Sequence, residues 1–262
     1  ALDDANRSCA FNAGRGSYAQ ARVATELIDK AKKQIRELVN ASINSSVVFT
    51  PSITIAINQI LQGIDFCAGD NVYFSPYEHN AVARTLHLIH KRVNINLIEM
   101  PINEKTLEID IEKLKYEFSL NPPRCVCCTH ISNVTGYVLP VTEIFECARR
   151  YDAITVLDTA QSLGVEKVDL KQMNVTFLAF AGHKSLYGPL GIGGFVTSGK
   201  IKLNELMVGG TGSNSLMLDM PAESPDRYEF ASTNIVAVAG LSQALTEDDY
   251  SNLLDEDKLV KK

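Results

Sequence analysis

Val175-Thr176-Phe177-Leu178-Ala179-Phe180-Ala181-Gly182-His183-Lys184-Ser185-Leu186-Tyr187-Gly188-Pro189 is an apolar run that breaks into a small-residue turn carrying a lysine. A short apolar run bounded by turn residues reads as a strand buried on both faces. A second such run, Ile154 to Leu157, ends in Asp158-Thr159-Ala160-Gln161. Further strand-like runs occur at Val47–Phe49, Val72–Phe74, Ile95–Ile98, Cys125–Cys128 and Ile192–Val196. Helical patterns fill most gaps: Thr54 to Leu61, Ala81 to His90, Ile111 to Phe118 and Val141 to Arg150. This alternation predicts a three-layer α/β/α fold around a mostly parallel, seven-stranded sheet. Only the Lys184 loop separates the last two strands, too little for a crossover helix, so that pair is expected to be antiparallel.

Ser17 is placed to cap a long helix from Tyr18 to about Val39, with Val23, Leu27, Ile28, Ala31, Ile35 and Leu38 at helical spacing. Gly209 to Met220 reads as a surface loop. The charged stretch 246–262 reads as a tail or the start of a further domain, which divides the chain into a large domain at 1–245 and that tail. The chain begins at Ala1 without a methionine and is expected to be cut at both ends.

With 262 residues and a net charge of −6, the chain reads as a globular protein with no basic run for a phosphate backbone. Nucleic-acid binding is therefore disfavoured. No apolar stretch approaches a bilayer span and no signal peptide is visible, which makes a cytoplasmic location the expectation. Six cysteines are present: Cys125, Cys127 and Cys128 share one strand, and Cys9, Cys67 and Cys147 are scattered. Strand alternation sends Cys127 and Cys128 to opposite faces, which argues for buried thiols over a metal site.

α/β sheets place ligands at the carboxyl ends of their strands. Lys184 and Asp158 stand at two such ends, an amine and an acid. Pyridoxal phosphate requires that pair, a lysine for its aldehyde and an acid for its pyridinium nitrogen. A lysine following an apolar strand is expected to be poorly hydrated and nucleophilic. Thr50-Pro51-Ser52-Ile53-Thr54 joins the first strand to a helix, and amides plus a hydroxyl at a helix start make a phosphate cradle. Glu78-His79-Asn80-Ala81 places an imidazole at the next helix start, where it either caps the helix or stacks on a planar ring and moves protons. Asn133, in Ile131-Ser132-Asn133-Val134-Thr135-Gly136, and Gln161 are amides able to reach a phenolic oxygen. His87 and His90 read as solvated, and His130 as structural.

These motifs, in this order, resemble the class V family of pyridoxal phosphate-dependent aminotransferases, most closely its cysteine desulfurase and selenocysteine lyase branch. The resemblance runs from Asn12-Ala13-Gly14-Arg15-Gly16-Ser17 to Leu241. It rests on Glu-His-Asn-Ala, Ser-Asn-Val-Thr-Gly, Asp-x-Ala-Gln and Gly-His-Lys-x-Leu-Tyr-Gly-Pro. It implies the fold type I large domain, with Lys184 bound covalently to the cofactor, Asp158 on the pyridinium nitrogen and His79 on the ring. Lys184 and His79 would be catalytic. Asn133 and Gln161 would hold the phenolic oxygen, and Ile53, Thr54 and His183 the phosphate end. Arg227-Tyr228-Glu229-Phe230-Ala231-Ser232-Thr233-Asn234 looks like the segment that reaches the other subunit of a homodimer, with Ser232 at that partner's phosphate.

The departures are specific. Ala181 stands where the family usually has a phosphate-binding Ser or Thr, a loss of about 1.5–3 kcal/mol for a charged acceptor. Ser52-Ile53 replaces Gly-Ala, Ile55 replaces Glu, and Ala231-Ser232-Thr233 replaces Gly-Thr-Pro. The family's Asn-Ala-Ala-Thr-Thr segment is missing. So is the small domain with its carboxylate-binding arginine and sulfur-accepting cysteine. The implied activity is sulfur removal from L-cysteine, with a small amino-acid substrate and a possible sulfur-acceptor protein. Another class V transamination or lyase reaction, and an inactive scaffold of the same fold, stand as alternatives.

Overall fold

The computed structural model describes residues 2–8, 13, 19–211 and 217–247. The elements follow in chain order: helix α1 at Leu2–Ser8, α2 at Ala19–Leu38, strand β1 at Ser46–Thr50, α3 at Ile53–Gly63, β2 at Asn71–Phe74, α4 at Asn80–Val93 and β3 at Asn96–Glu99. After these come α5 at Ile111–Leu120, β4 at Cys125–Thr129, α6 at Val141–Arg149, β5 at Ile154–Asp158, α7 at Leu170–Met173, β6 at Phe177–Ala181, β7 at Gly193–Thr197 and α8 at Ile235–Glu247. The strands form one seven-stranded sheet in the order β1-β7-β6-β5-β4-β2-β3. Neighbours from β3 through β6 are parallel, while β7 is antiparallel to both β6 and β1.

β4, β5, β6 and β7 are buried along their whole length because both faces of the sheet are covered. On one face α3 and α4 pack Ala56, Ile57, Ile60, Val82 and Leu86 against Val72, Phe177 and Phe195. On the other, α2, α5, α6 and α8 pack Ile35, Phe118, Phe145 and Val238 against Tyr73, Val126 and Phe180. Cys125 and Cys127 lie in the first core and Cys128 in the second, as alternation requires. Cys67 is exposed; Cys9 lies outside the described residues.

Three features go beyond the sequence reading. α1 precedes the long helix, and the proposed cap Ser17 lies outside the described residues. The apolar run from Ile235 is a helix whose partner is inside the chain: Ser242 Oγ donates to Gln34 Oε1 at 2.7 Å, and Gln34 Nε2 returns a bond to the Ser242 carbonyl at 3.1 Å. α8 also continues to Glu247, past residue 245; residues 248–262 lie outside the described residues.

β7 threads between β1 and β6 by presenting glycine at two successive positions. A Cβ on Gly194 would collide with the Val48 carbonyl and meet the Phe180 ring at 2.8 Å. A Cβ on Gly193 would meet the Ile53 amide at 2.7 Å, so the bare backbone lets the start of α3 sit directly on the sheet. Since β7 opposes both its neighbours, β1 and β6 run in the same direction. The carboxyl ends of β1, β2, β4, β5 and β6 thus share one edge.

Candidate functional site

A cavity of about 210 Å³ opens on that edge. Each strand end delivers side chains to it. From β1 come Ser52, Ile53 and Thr54; from β2, His79; from β4, Thr129 and Asn133; from β5, Asp158 and Gln161; from β6, His183 and Lys184. The structure therefore gathers every site residue named from the sequence except Ser232. Ser232 is exposed and lines a separate cavity of about 290 Å³ with Phe49, Tyr228 and Phe230.

Ser52 caps α3: its Oγ accepts the Ile55 amide at 3.3 Å. The amides of Ile53 and Thr54 precede the first intrahelical bond, so they are free to hold an anion at the positive end of the helix. His183 adds a ring nitrogen, Nδ1, that is buried and has no hydrogen-bond partner among the described residues. His79 takes the capping role and stands at the cavity as well. It caps α4 by accepting the Ala81 amide on Nδ1 at 3.1 Å, and its ring lines the cavity.

Asp158 ends β5 and is 4% exposed. Burial pushes its carboxyl above the usual range, while the Ala160 amide at 2.8 Å, Lys184 and His79 draw it back toward the charged form. Lys184 sits in a turn closed by the Tyr187 amide on its carbonyl at 2.9 Å, with Tyr187 in the left-handed region at φ 53°. It is half-buried, so the desolvation expected of it is partial. It makes no salt bridge among the described residues, and the amine is uncommitted. Ala181 is buried in β6 and offers only a methyl group.

Glu78 is the group that sequence reasoning passed over. It was visible only as the residue before His79, and nothing in the chain shows that its carboxyl is enclosed. Ser75 Oγ and the Thr129 amide both donate to its Oε1 at 2.6 Å. Among the described residues no three His, Cys, Asp or Glu side chains gather to hold a metal ion, and no helix is long and apolar enough to cross a membrane.

The segment leading to Ser232 is clamped to the edge of the sheet. Glu229 Oε1 accepts the Phe49 amide of edge strand β1 at 2.8 Å, and both its oxygens face Lys32 Nζ, at 2.8 and 3.0 Å. Upstream, Arg227 pairs with Glu205 at 2.5 Å, and the Tyr228 hydroxyl accepts the Leu203 amide at 2.9 Å. Burial raises the Glu229 carboxyl, and Lys32 and the Phe49 amide oppose that rise. Glu229→Gln leaves the Lys32 ammonium buried without its counter-charge, and is expected to cost about 2 kcal/mol in urea unfolding. Lys32→Met combined with Glu229→Gln should recover part of that loss. A single variant as stable as the parent would show that the pair contributes nothing.

Taken together, the cavity offers anion-binding amides and an orphaned imidazole nitrogen at one end. At the other it offers a buried carboxyl and an uncommitted amine, with a second imidazole beside them. That donor set fits a planar heteroaromatic aldehyde carrying a phosphate. The family model described as aminotransferase class V matches residues 1–252. A probable cysteine desulfurase from Halalkalibacterium halodurans is 34% identical over 198 residues, covering 74% of this chain and 48% of that protein. The apo structure of a cysteine desulfurase from Thermococcus onnurineus superposes with a TM-score of 0.87 at 25% identity, covering 99% of this chain and 66% of that one. A C-DES variant with glycine covalently linked to its PLP cofactor has a TM-score of 0.76 at 27% identity, covering 88% and 62%. The chain spans roughly half to two thirds of the length of these proteins. By the extent of the family match and by its fold, the chain belongs to the class V aminotransferase family.

Proposed function

We propose that this chain is the cofactor-binding large domain of a pyridoxal phosphate-dependent enzyme that removes sulfur from L-cysteine. The observation that carries the reading is the single cavity that brings Lys184, Asp158, His79, Asn133, Gln161 and His183 to the start of α3. When bound, the cofactor supplies an aldehyde for an amine and a ring that stores the electron pair released at the substrate Cα. Lys184 Nζ is the amine that attaches the cofactor and the group that carries a proton in and out. Asp158 holds the proton on the ring nitrogen. With Nδ1 of His79 occupied by the Ala81 amide, Nε2 is the nitrogen left to hold or move a proton. Ile53, Thr54 and His183 bind the phosphate, and Asn133 and Gln161 the phenolic oxygen.

A homodimer belongs to this proposal. Ser232 is exposed, lies outside its own chain's cavity and stands on a segment anchored by Glu229, which suits delivery to a second subunit's phosphate. A sulfur-acceptor protein would take the product.

Purified chain incubated with pyridoxal phosphate and passed through a desalting column should keep a visible absorbance band. Borohydride should bleach that band and leave a label that maps to the peptide containing Lys184. A colourless eluate would favour the scaffold alternative, to which the methyl of Ala181 in place of a phosphate donor already points.

A further inference from the structure

Glu78 is a carboxyl for which the proposed chemistry has no use, yet the fold buries one of its oxygens and hydrogen-bonds the other. Its Oε1 takes one bond from the end of β2, through Ser75 Oγ, and one from the end of β4, through the Thr129 amide; Oε2 has no hydrogen-bond partner among the described residues. The next amide along β4, that of His130, donates to the Asp158 carbonyl at 2.9 Å. One short piece of backbone thus joins the two acids. No lysine, arginine or histidine pairs with Glu78 among the described residues. Asp158, in contrast, is drawn toward charge by Lys184, His79 and the Ala160 amide. Two desolvated carboxyls that sense each other cannot both ionise at low cost, and the one without a cation keeps its proton.

We propose that Glu78 is a positioning residue of this site, tying the ends of β2 and β4 together beneath His79 and leaving the site's negative charge to Asp158. The titratable groups whose charge would reach it are Asp158 from β5 and Cys127 and Cys128 from β4; Ser75 at the end of β2 is bonded to it, and His79 is next to it on its own segment. Both thiols are held well above their ordinary value, Cys127 by Cys125 and by burial, Cys128 by burial, so neither contributes charge. Burial raises Glu78 to about 8; Asp158 adds to the rise, and the Ser75 and Thr129 bonds oppose it.

The sign of the pH effect follows. An unfolded carboxyl loses its proton near the ordinary value of 4.5, whereas folded Glu78 keeps its proton to about 8. The folded state then binds the extra proton, so stability falls as pH rises across that window and levels off above it. Glutamine keeps the shape and has no such slope.

Thermal unfolding of this chain and of Glu78→Gln, from pH about 5 to about 9, tests the assignment. The variant should gain on the parent by roughly 10 °C up to pH about 8 and hold a constant lead beyond. A gap that does not change with pH would overturn the proposal. Should the variant fail to fold, infrared spectra of the parent decide. A protonated-carboxyl band at neutral pH that disappears near pH 8 and persists in Asp158→Asn supports the proposal, and its absence refutes it.

A second arm rests on the proposed function. Glu78→Ala, which strands the Thr129 amide, should weaken binding of added pyridoxal phosphate about tenfold, and Glu78→Gln should restore it. Unchanged binding in the alanine variant would count against positioning. Failure of the parent itself to bind would count against the proposed function, leaving the pH comparison to decide the role of Glu78.

Discussion

Lys184→Ala abolishes the visible absorbance of the chain loaded with pyridoxal phosphate, and in any longer form that turns over cysteine it lowers the rate by about 10³-fold or more. The size of the effect comes from one atom serving twice. Nζ is the only amine lining the cavity among the described residues, so its loss removes both the point of attachment and the carrier of the proton. Folding should be nearly untouched, because Lys184 is half-buried and its turn is held by backbone bonds from Tyr187 to Lys184 and from Gly188 to Gly182. Thermal unfolding without cofactor should stay within about 0.5 kcal/mol of the parent. A variant that retained the band would mean that another amine carries the cofactor.

Gly194→Ala produces the largest loss of stability, about 4 kcal/mol, and takes cofactor binding with it. The added methyl has no direction in which to move: the Val48 carbonyl lies on one side and the Phe180 ring on the other, both fixed in neighbouring strands. Relief requires β1 to separate from β7, and β1 leads through Ser52 into the start of α3, which lines the cavity. Urea unfolding measures the first effect and retention of visible absorbance the second. An alanine variant within 1 kcal/mol of the parent would show that β1 and β7 adjust to the methyl at little cost.

The residues that line the cavity were legible in the sequence because they lie at or just past the carboxyl end of a strand, where a local break from apolar to polar residues marks the position. His79, Asp158 and Lys184 can be found this way without any knowledge of what packs beside them. Glu78 cannot, because its burial depends on Thr129, far along the chain, and its neighbour Asp158 is still more distant. The strands were legible as apolar runs, and the antiparallel sense of β6 and β7 followed from the short loop between them. The pairing of β1 with β7 was not, since nothing near Val47 records which later strand will lie beside it. α8 was missed as a helix because Ile-Val-Ala-Val-Ala-Gly-Leu is apolar on all sides, which blurs the helical period. α7 is a single turn, recognisable only by the cap that Asp169 gives to the Lys171 and Gln172 amides.

The place of β7 in the sheet also fixes an order of events. Among the described residues β1 is an edge strand whose only strand partner is β7, which begins at Gly193. During synthesis, β1 and the α3 start that follows it must wait for well over a hundred further residues before their neighbour exists. β2 through β6 can meanwhile assemble as consecutive parallel units. The arrival of β7 then gives β1 its strand partner and seats the start of α3 on the sheet. The α3 end of the cavity should therefore form in one late, slow step governed by contacts distant in the chain, and a nascent chain halted before Gly193 should lack it.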